Sequence, residues 1–211
     1  MTLFRLDASI NPASSASRAI ADIVEDEWRA ANPDVQVVRR DLGTGPLPST
    51  AWPTAVGAAG TAAGDRSGEQ RSALELAAGL AAELRSADAA LLAIPLYNYG
   101  VAQHAKVWID LVMAGAETPI EPLLAGKPTV LVTVRGGAYG PGTPREGWDH
   151  STDYLRRIVA DIWGADLTLV ERELTLAGVN PAMDAFKEQG AQLKEAAHAA
   201  AAVAGKALAA A

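Results

Sequence analysis

The chain has 211 residues, a net charge of −7, 49% hydrophobic and 20% charged residues, and no cysteine. That length can bury a core and that composition is globular. An acidic balance without a basic run argues against nucleic acid as a partner, and the lack of thiols excludes disulfides, thiolate metal sites, iron–sulfur clusters and cysteine nucleophiles.

Leu3 to Ala8 reads as a first strand, interrupted by Arg5 and Asp7. The run SINPASSAS, Ser9 to Ser17, is built of turn and helix-cap residues. Ala19, Ile20, Ile23, Val24 and Trp28 then recur at helical spacing, so a helix starts near Ser15 to Ser17. A helix start exposes unpaired N–H groups and a positive dipole end, so with three serine hydroxyls it can hold a phosphate without Lys or Arg. The plainer reading is that the serines only cap the helix.

Asn32-Pro33-Asp34 ends that helix and Val35 to Val38 reads as a second strand. Arg39 and Arg40 after it suit either an anchor for a 2′-phosphate or a solvated strand end. Gly43 to Gly68 is a Gly/Pro/Ala/Ser/Thr excursion around Trp52, of a length that in compact domains belongs to lids or mobile segments. Leu74, Leu76, Leu80 and Leu84 mark the next helix.

Ala89 to Ile94 is a continuous apolar run, the pattern of a buried parallel strand. It stops at Pro95 and delivers Tyr97, Asn98, Tyr99 and Gly100. Gln103 to Ala116 reads as a helix with Val107, Trp108, Leu111 and Val112 on its apolar side and Lys106–Asp110 as an i,i+4 pair. His104 at its start is either an acid–base group or an exposed helix-start histidine. Thr129 to Val134 is the strongest strand, β-branched and apolar, and it runs into Arg135-Gly136-Gly137. Paired glycines at a strand end let backbone N–H groups approach a ligand, although a plain flexible loop would read the same. No G-x-G-x-x-G follows the first strand, which argues against a tightly bound Rossmann-type NAD.

Trp148 to Trp163 is amphipathic, with Leu155, Ile158, Val159, Ile162 and Trp163 on one face. Leu167 to Val170 reads as the fifth strand. Asn180 caps a last helix with Pro181 at its first position, and Phe186 and Leu193 are its larger apolar contacts. Its Ala-rich tail favours helix but is too weakly apolar for a membrane span. With no signal peptide pattern either, a soluble cytoplasmic protein is expected. No metal site is predicted.

Five alternations of strand and helix predict an α/β, flavodoxin-like three-layer sandwich: a five-stranded parallel sheet of order 2-1-3-4-5 with helices on both faces, as a single domain over residues 1–211. In that order strands one, three and four are neighbours. The serine loop, the Tyr97-Asn98-Tyr99 turn and the Gly136-Gly137 turn therefore converge at one carboxyl edge.

PLYNYGVAQHAKVWIDLVMAGAET, VTVRGGAYGPG and SINPASSAS together resemble the FMN-dependent NADH-azoreductases, which are also quinone oxidoreductases of the flavodoxin-like superfamily. The resemblance runs from the first strand to the final helix. It implies FMN as bound cofactor and NADH or NADPH as co-substrate. The phosphate would lie at Ser9, Ser15, Ala16 and Ser17, and the ring at Leu96, Tyr97, Asn98 and Tyr99 and at Val134, Arg135, Gly136 and Gly137. It implies hydride transfer through FMN to quinones and/or azo compounds by a ping-pong scheme, in a homodimer. Val134 stands where many relatives have Ser, and the loop after Thr118 is shorter than in familiar members. Tyr97, Tyr99, Tyr139 and His150 are the candidate proton donors, beside solvent. Two rival classes remain: a non-enzymatic flavin electron carrier, and a hydrolase with Ser9 as nucleophile. The second lacks the D-x-x-H of such esterases, because Asp149 and His150 are adjacent.

Overall fold

The computed structural model describes residues 1–34 and 36–210. Strand β1 (Thr2–Asp7) leads through a 3₁₀ turn to helix α1 (Ala16–Ala31), then β2 (Gln36–Asp41), α2 (Ala51–Ala58), α3 (Gly68–Ser86) and β3 (Ala89–Ala93). A small hairpin, β4 (Leu96–Tyr97) and β5 (Gly100–Val101), precedes α4 (Gln103–Ala114). Strand β6 (Pro128–Val134), helix α5 (Thr152–Arg156), strand β7 (Asp166–Arg172) and helix α6 (Lys187–Ala210) complete the chain. The main sheet is parallel with order β2-β1-β3-β6-β7, so its five strands in chain order run 2-1-3-4-5 as predicted. The expected second strand began at Val35, which lies outside the described residues. The strand itself continues through Arg39 and Arg40 to Asp41.

Successive strand residues point to opposite faces. Phe4, Leu6, Leu92 and Leu131 meet the layer that holds α2 to α5, including Trp108 and Trp163. Leu3, Leu91, Val130 and Val132 meet α1 and α6, including Trp28. The charges that interrupt β1 belong to the second face and are buried. Arg5 lies 3.0 Å from Asp7, 2.8 Å from Asp22 and 2.9 Å from Glu25. Burial opposes the Arg5 charge, but bonds to these carboxylates raise its pKa above the ordinary arginine value.

Three expectations change. The Gly43–Gly68 stretch is no open lid: α2 forms within it and buries Ala51, Ala55 and Ala58. Their spacing of four and three residues makes a small-residue helix face, a signal weaker than that of Leu. The helix expected from Trp148 starts at Thr152, where Asp149 accepts from the N–H groups of Ser151 and Thr152 at 2.8 and 2.9 Å. It then widens into a π turn over Arg157–Ile162 that carries Trp163 edge-on to Trp108, 5.5 Å between centroids. Asn180 caps a 3₁₀ turn, Pro181–Phe186, ahead of α6, and Phe186 is 43% exposed instead of a core contact. Among the described residues no helix is long and apolar enough to cross a membrane.

Candidate active site

The carboxyl ends of β1, β3 and β6 open on one cleft. Its inner part is a cavity of about 340 Å³ that includes Ser9, Ser15, Ala16, Ser17, Tyr97 and Val134 in its lining. Its outer part, about 410 Å³, includes Asn98, Tyr99, Gly137 and Tyr139. Leu96, Tyr97 and Gly136 line both, so the two are continuous.

The serine loop is held from several sides. The Ser15 hydroxyl accepts from the Arg18 N–H at 3.2 Å, a helix N-cap, and lies 3.1 Å from the Ser17 hydroxyl. The Tyr97 hydroxyl accepts from the Ile10 N–H at 3.2 Å and lies 3.3 Å from Ser9 Oγ, which also accepts from the Asn11 N–H. If Tyr97 donates to Ser9, the Ser9 proton is left to point into the cavity. His104 Nε2 lies 2.6 Å from the Ala8 carbonyl, so this histidine fastens α4 to the end of β1. Arg18 forks onto Asp41 at 2.6 and 2.8 Å, and that hydrogen bond lowers the Asp41 pKa to about 2. Arg39 pairs with Glu25 and Arg40 with Glu83, which favours the strand-end reading of these arginines over the 2′-phosphate one.

In the middle of the cleft the hairpin pairs Tyr97 with Gly100 across two residues. Asn98 and Tyr99 both adopt positive φ, 48° and 67°. This is the type I′ geometry, which suits Asn at its first position and strains Tyr at its second. The turn presents the Asn98 amide to the outer cavity and leaves Tyr99 43% exposed.

At β6 the Arg135 side chain points away from the cavity. It bonds Asp149, Thr152 and Glu171, with Glu173 at 3.5 Å. Burial opposes its charge but these acids raise its pKa, and the same cluster holds the Asp149 carboxyl low against its own burial. The carbonyls of Arg135, Gly136 and Gly137 accept from the N–H groups of Thr175, Leu176 and Leu174. Among the described residues the Gly136 and Gly137 N–H groups donate to no protein acceptor. A Cβ on Gly136 would meet Leu176 Cδ1 at 2.8 Å, so a side chain there would have to push Leu176 aside.

The structure thus gathers Ser9, Ser15, Ala16, Ser17, Leu96, Tyr97, Asn98, Tyr99, Val134, Gly136, Gly137 and Tyr139 around one cleft, and Arg135 supports it from behind. His150 is exposed, does not line either cavity, and fastens its backbone N–H to the Tyr99 carbonyl at 3.0 Å. Among the described residues Ser9 has no histidine or carboxylate bonded to it, which removes the base that a serine nucleophile needs. Sequence reasoning missed the loop after β7, whose Thr175, Leu176, Val179 and Met183 form the opposite wall. The usable signal was topological, because β7 lies beside β6 and its carboxyl end must reach the same edge.

Residues 1–200 match the family described as Flavodoxin-like fold. The chain belongs to that flavodoxin-like family. It is 42% identical over 188 residues to an FMN-dependent NADH:quinone oxidoreductase of Frankia casuarinae, covering 87% of this chain and 89% of that one. A protein of the same name from Kineococcus radiotolerans is 41% identical over 209 residues, covering 94% and 95%. Among solved structures, an azoreductase from Bacillus anthracis superposes with a TM-score of 0.77 at 20% identity, over 98% of this chain and 99% of that one. An FMN-dependent NADH-azoreductase of Bacillus anthracis in complex with FMN gives 0.69 at 18% identity, over 95% and 99%. The architecture of this flavodoxin-like chain is therefore shared with both structures, and the two sequence relatives are both named FMN-dependent NADH:quinone oxidoreductase.

Proposed function

We infer that this flavodoxin-like protein is an FMN-dependent oxidoreductase that takes hydride from NADH or NADPH and delivers it to quinones and/or azo compounds by a ping-pong scheme. One observation carries the reading: the hydroxyls and helix start at Ser9 to Ser17 and the free N–H groups of Gly136 and Gly137 open on one continuous cleft. These donors suit a group that is anionic at one end and an acceptor along a ring edge at the other.

The Ser9, Ser15 and Ser17 hydroxyls and the first-turn N–H groups of α1 would hold the phosphate. With Arg18 committed to Asp41, no cation is required there. Asn98 offers a donor and an acceptor to the ring edge, and the Gly136 and Gly137 N–H groups would stabilise negative charge that develops along it. Leu96 and Val134, which line the inner cavity, would give the ring apolar contact, Val134 without the hydroxyl that a serine would bring. FMN, when bound, supplies the hydride acceptance and donation that no side chain here can perform. Of the candidate proton donors, Tyr97, Tyr99 and Tyr139 line the cleft. Burial raises the Tyr139 pKa, which keeps its proton in place near neutral pH. The exposed rim residues Ile10 and Val179 support a homodimer that covers the serine end of the cleft, with quinone or azo acceptors entering at the aromatic end. The whole chain would act as one cytoplasmic domain.

Anaerobic titration tests this reading. The purified protein is expected to take up FMN, turn yellow and bleach on addition of NADH. A chain that takes up no added FMN would overturn it, and bleaching without turnover of a quinone or an azo dye would make it an electron carrier instead.

A further inference from the structure

Beside the outer cavity lies a larger one of about 570 Å³, whose walls include Tyr99, Trp148, Phe186, Met183 and Arg145. Tyr99 packs edge-on against Trp148 at 5.6 Å and 76°. The two rings are 43% and 50% exposed, large aromatic surface turned into an open cavity instead of a core. Met183 adds a polarizable thioether of the kind that favours aromatic contacts. This cavity shares Tyr99, Arg145 and Met183 with the outer cavity of the cleft, so a group in one abuts a group in the other.

Arg145 stands at that junction. Its guanidinium carbon sits 6.0 Å from the centroid of the Tyr139 ring, and a Cβ on Gly137 would lie 2.6 Å from its Nη1. Among the described residues it is the only charged one lining the aromatic cavity. The neighbouring acids are already committed. Glu146 accepts from the Gly142 N–H, Asp149 holds Arg135, and Glu173 accepts from the Tyr139 N–H. Among the described residues Arg145 has no carboxylate partner within 4 Å, whereas Arg135 nearby has three. A planar guanidinium with free donors, at the edge of an aromatic box, matches a carboxylate or sulfonate carried on an aromatic ring.

We propose that the Tyr99–Trp148–Phe186 cavity is the docking site for the electron acceptor and selects aromatic acids, with Arg145 as the residue that reads their anionic substituent. The assignment rests on the FMN-dependent reading only for its word acceptor; the recognition chemistry belongs to this chain's own residues.

Equilibrium dialysis of the FMN-loaded protein against azobenzene-4-sulfonate and uncharged azobenzene tests it. Arg145→Gln is expected to weaken the sulfonate about tenfold, the loss of one charge-assisted pair, and to leave azobenzene within about twofold. Arg145→Lys should recover part of the loss, and Trp148→Ala should weaken both compounds. Thermal melts and FMN titration of each variant check that fold and cofactor site are intact. Equal affinity of wild type and Arg145→Gln for the sulfonate, or an equal loss for both compounds, would overturn the proposal. Displacement of the sulfonate by ADP would overturn it too, because the cavity would then serve the dinucleotide. Failure to take up FMN would sink the flavin reading separately, since the same dialysis on the protein without FMN still reads the contrast between the two azobenzenes at Arg145.

Discussion

The two ends of the cleft are built on opposite plans. At the serine end the loop is fastened at several points: Tyr97 and His104 reach in from the third strand turn and α4, and Arg18 forks onto Asp41. Gly43 packs so closely that a Cβ there would lie 2.0 Å from the Ser9 carbonyl oxygen. At the aromatic end, Asn98 and Tyr99 hold positive φ in a two-residue turn, and Tyr99 and Trp148 stand half exposed beside Arg145, which has no carboxylate partner among the described residues. A fixed anion needs donors that do not reorganise, which the tied loop provides. A variable acceptor needs accessible aromatic surface and a cation free of internal partners. The contrast teaches which half of the site holds a constant group and which half chooses among substrates.

The strongest way to break this contrast is to loosen the tied end. Gly43→Val puts side-chain atoms into the Ser9 backbone, so the loop must shift. Urea unfolding is expected to show a loss of about 2–3 kcal/mol, the upper range for overpacking, and FMN titration a loss of affinity beyond tenfold. An unchanged FMN affinity would show that the loop does not carry the phosphate.

The strained turn separates geometry from chemistry. Asn98→Gly keeps the positive φ at no steric cost, whereas Asn98→Ala carries a left-handed penalty of about 1–2 kcal/mol. Both should weaken FMN retention by removing the amide, about fivefold for Gly, but only Ala should also lower the melting temperature. Equal melting temperatures would remove the turn's strain from the account.

The smallest effect is a pH dependence at the tied end. The Arg18 hydrogen bond lowers Asp41 from 3.8 to about 2 in the folded state. A depressed carboxylate contributes stability above its unfolded pKa and loses it as pH falls through the folded value. The contribution is therefore complete above about pH 4 and fades towards pH 2, and after discounting for partial exposure it is about 1 kcal/mol. In Arg18→Gln the stability measured by urea between pH 5 and pH 3 should fall less steeply than in wild type. Parallel pH profiles would remove the ion pair from the loop's support.

The sequence by itself determined the layer order, because short apolar runs such as Ala89 to Ile94 and Thr129 to Val134, alternating with amphipathic helices, fit central parallel strands, and their polar ends then share one edge. It also located the Ser9–Ser17 loop, the Tyr97–Tyr99 turn and the Gly136–Gly137 turn, because turn residues at strand ends are local signals. Tertiary structure alone decided what no local pattern encodes. Ala51, Ala55 and Ala58 became a packed helix face, since small residues gain their burial only from the helices that meet them. Arg5 and Asp7 became a buried ion cluster once Asp22 and Glu25 of α1 crossed above them. Arg135 and Arg145, ten positions apart, took opposite roles because three acids surround one and, among the described residues, none reaches the other. Charge type is written in the chain, but its compensation depends on distance, and only the folded backbone sets that.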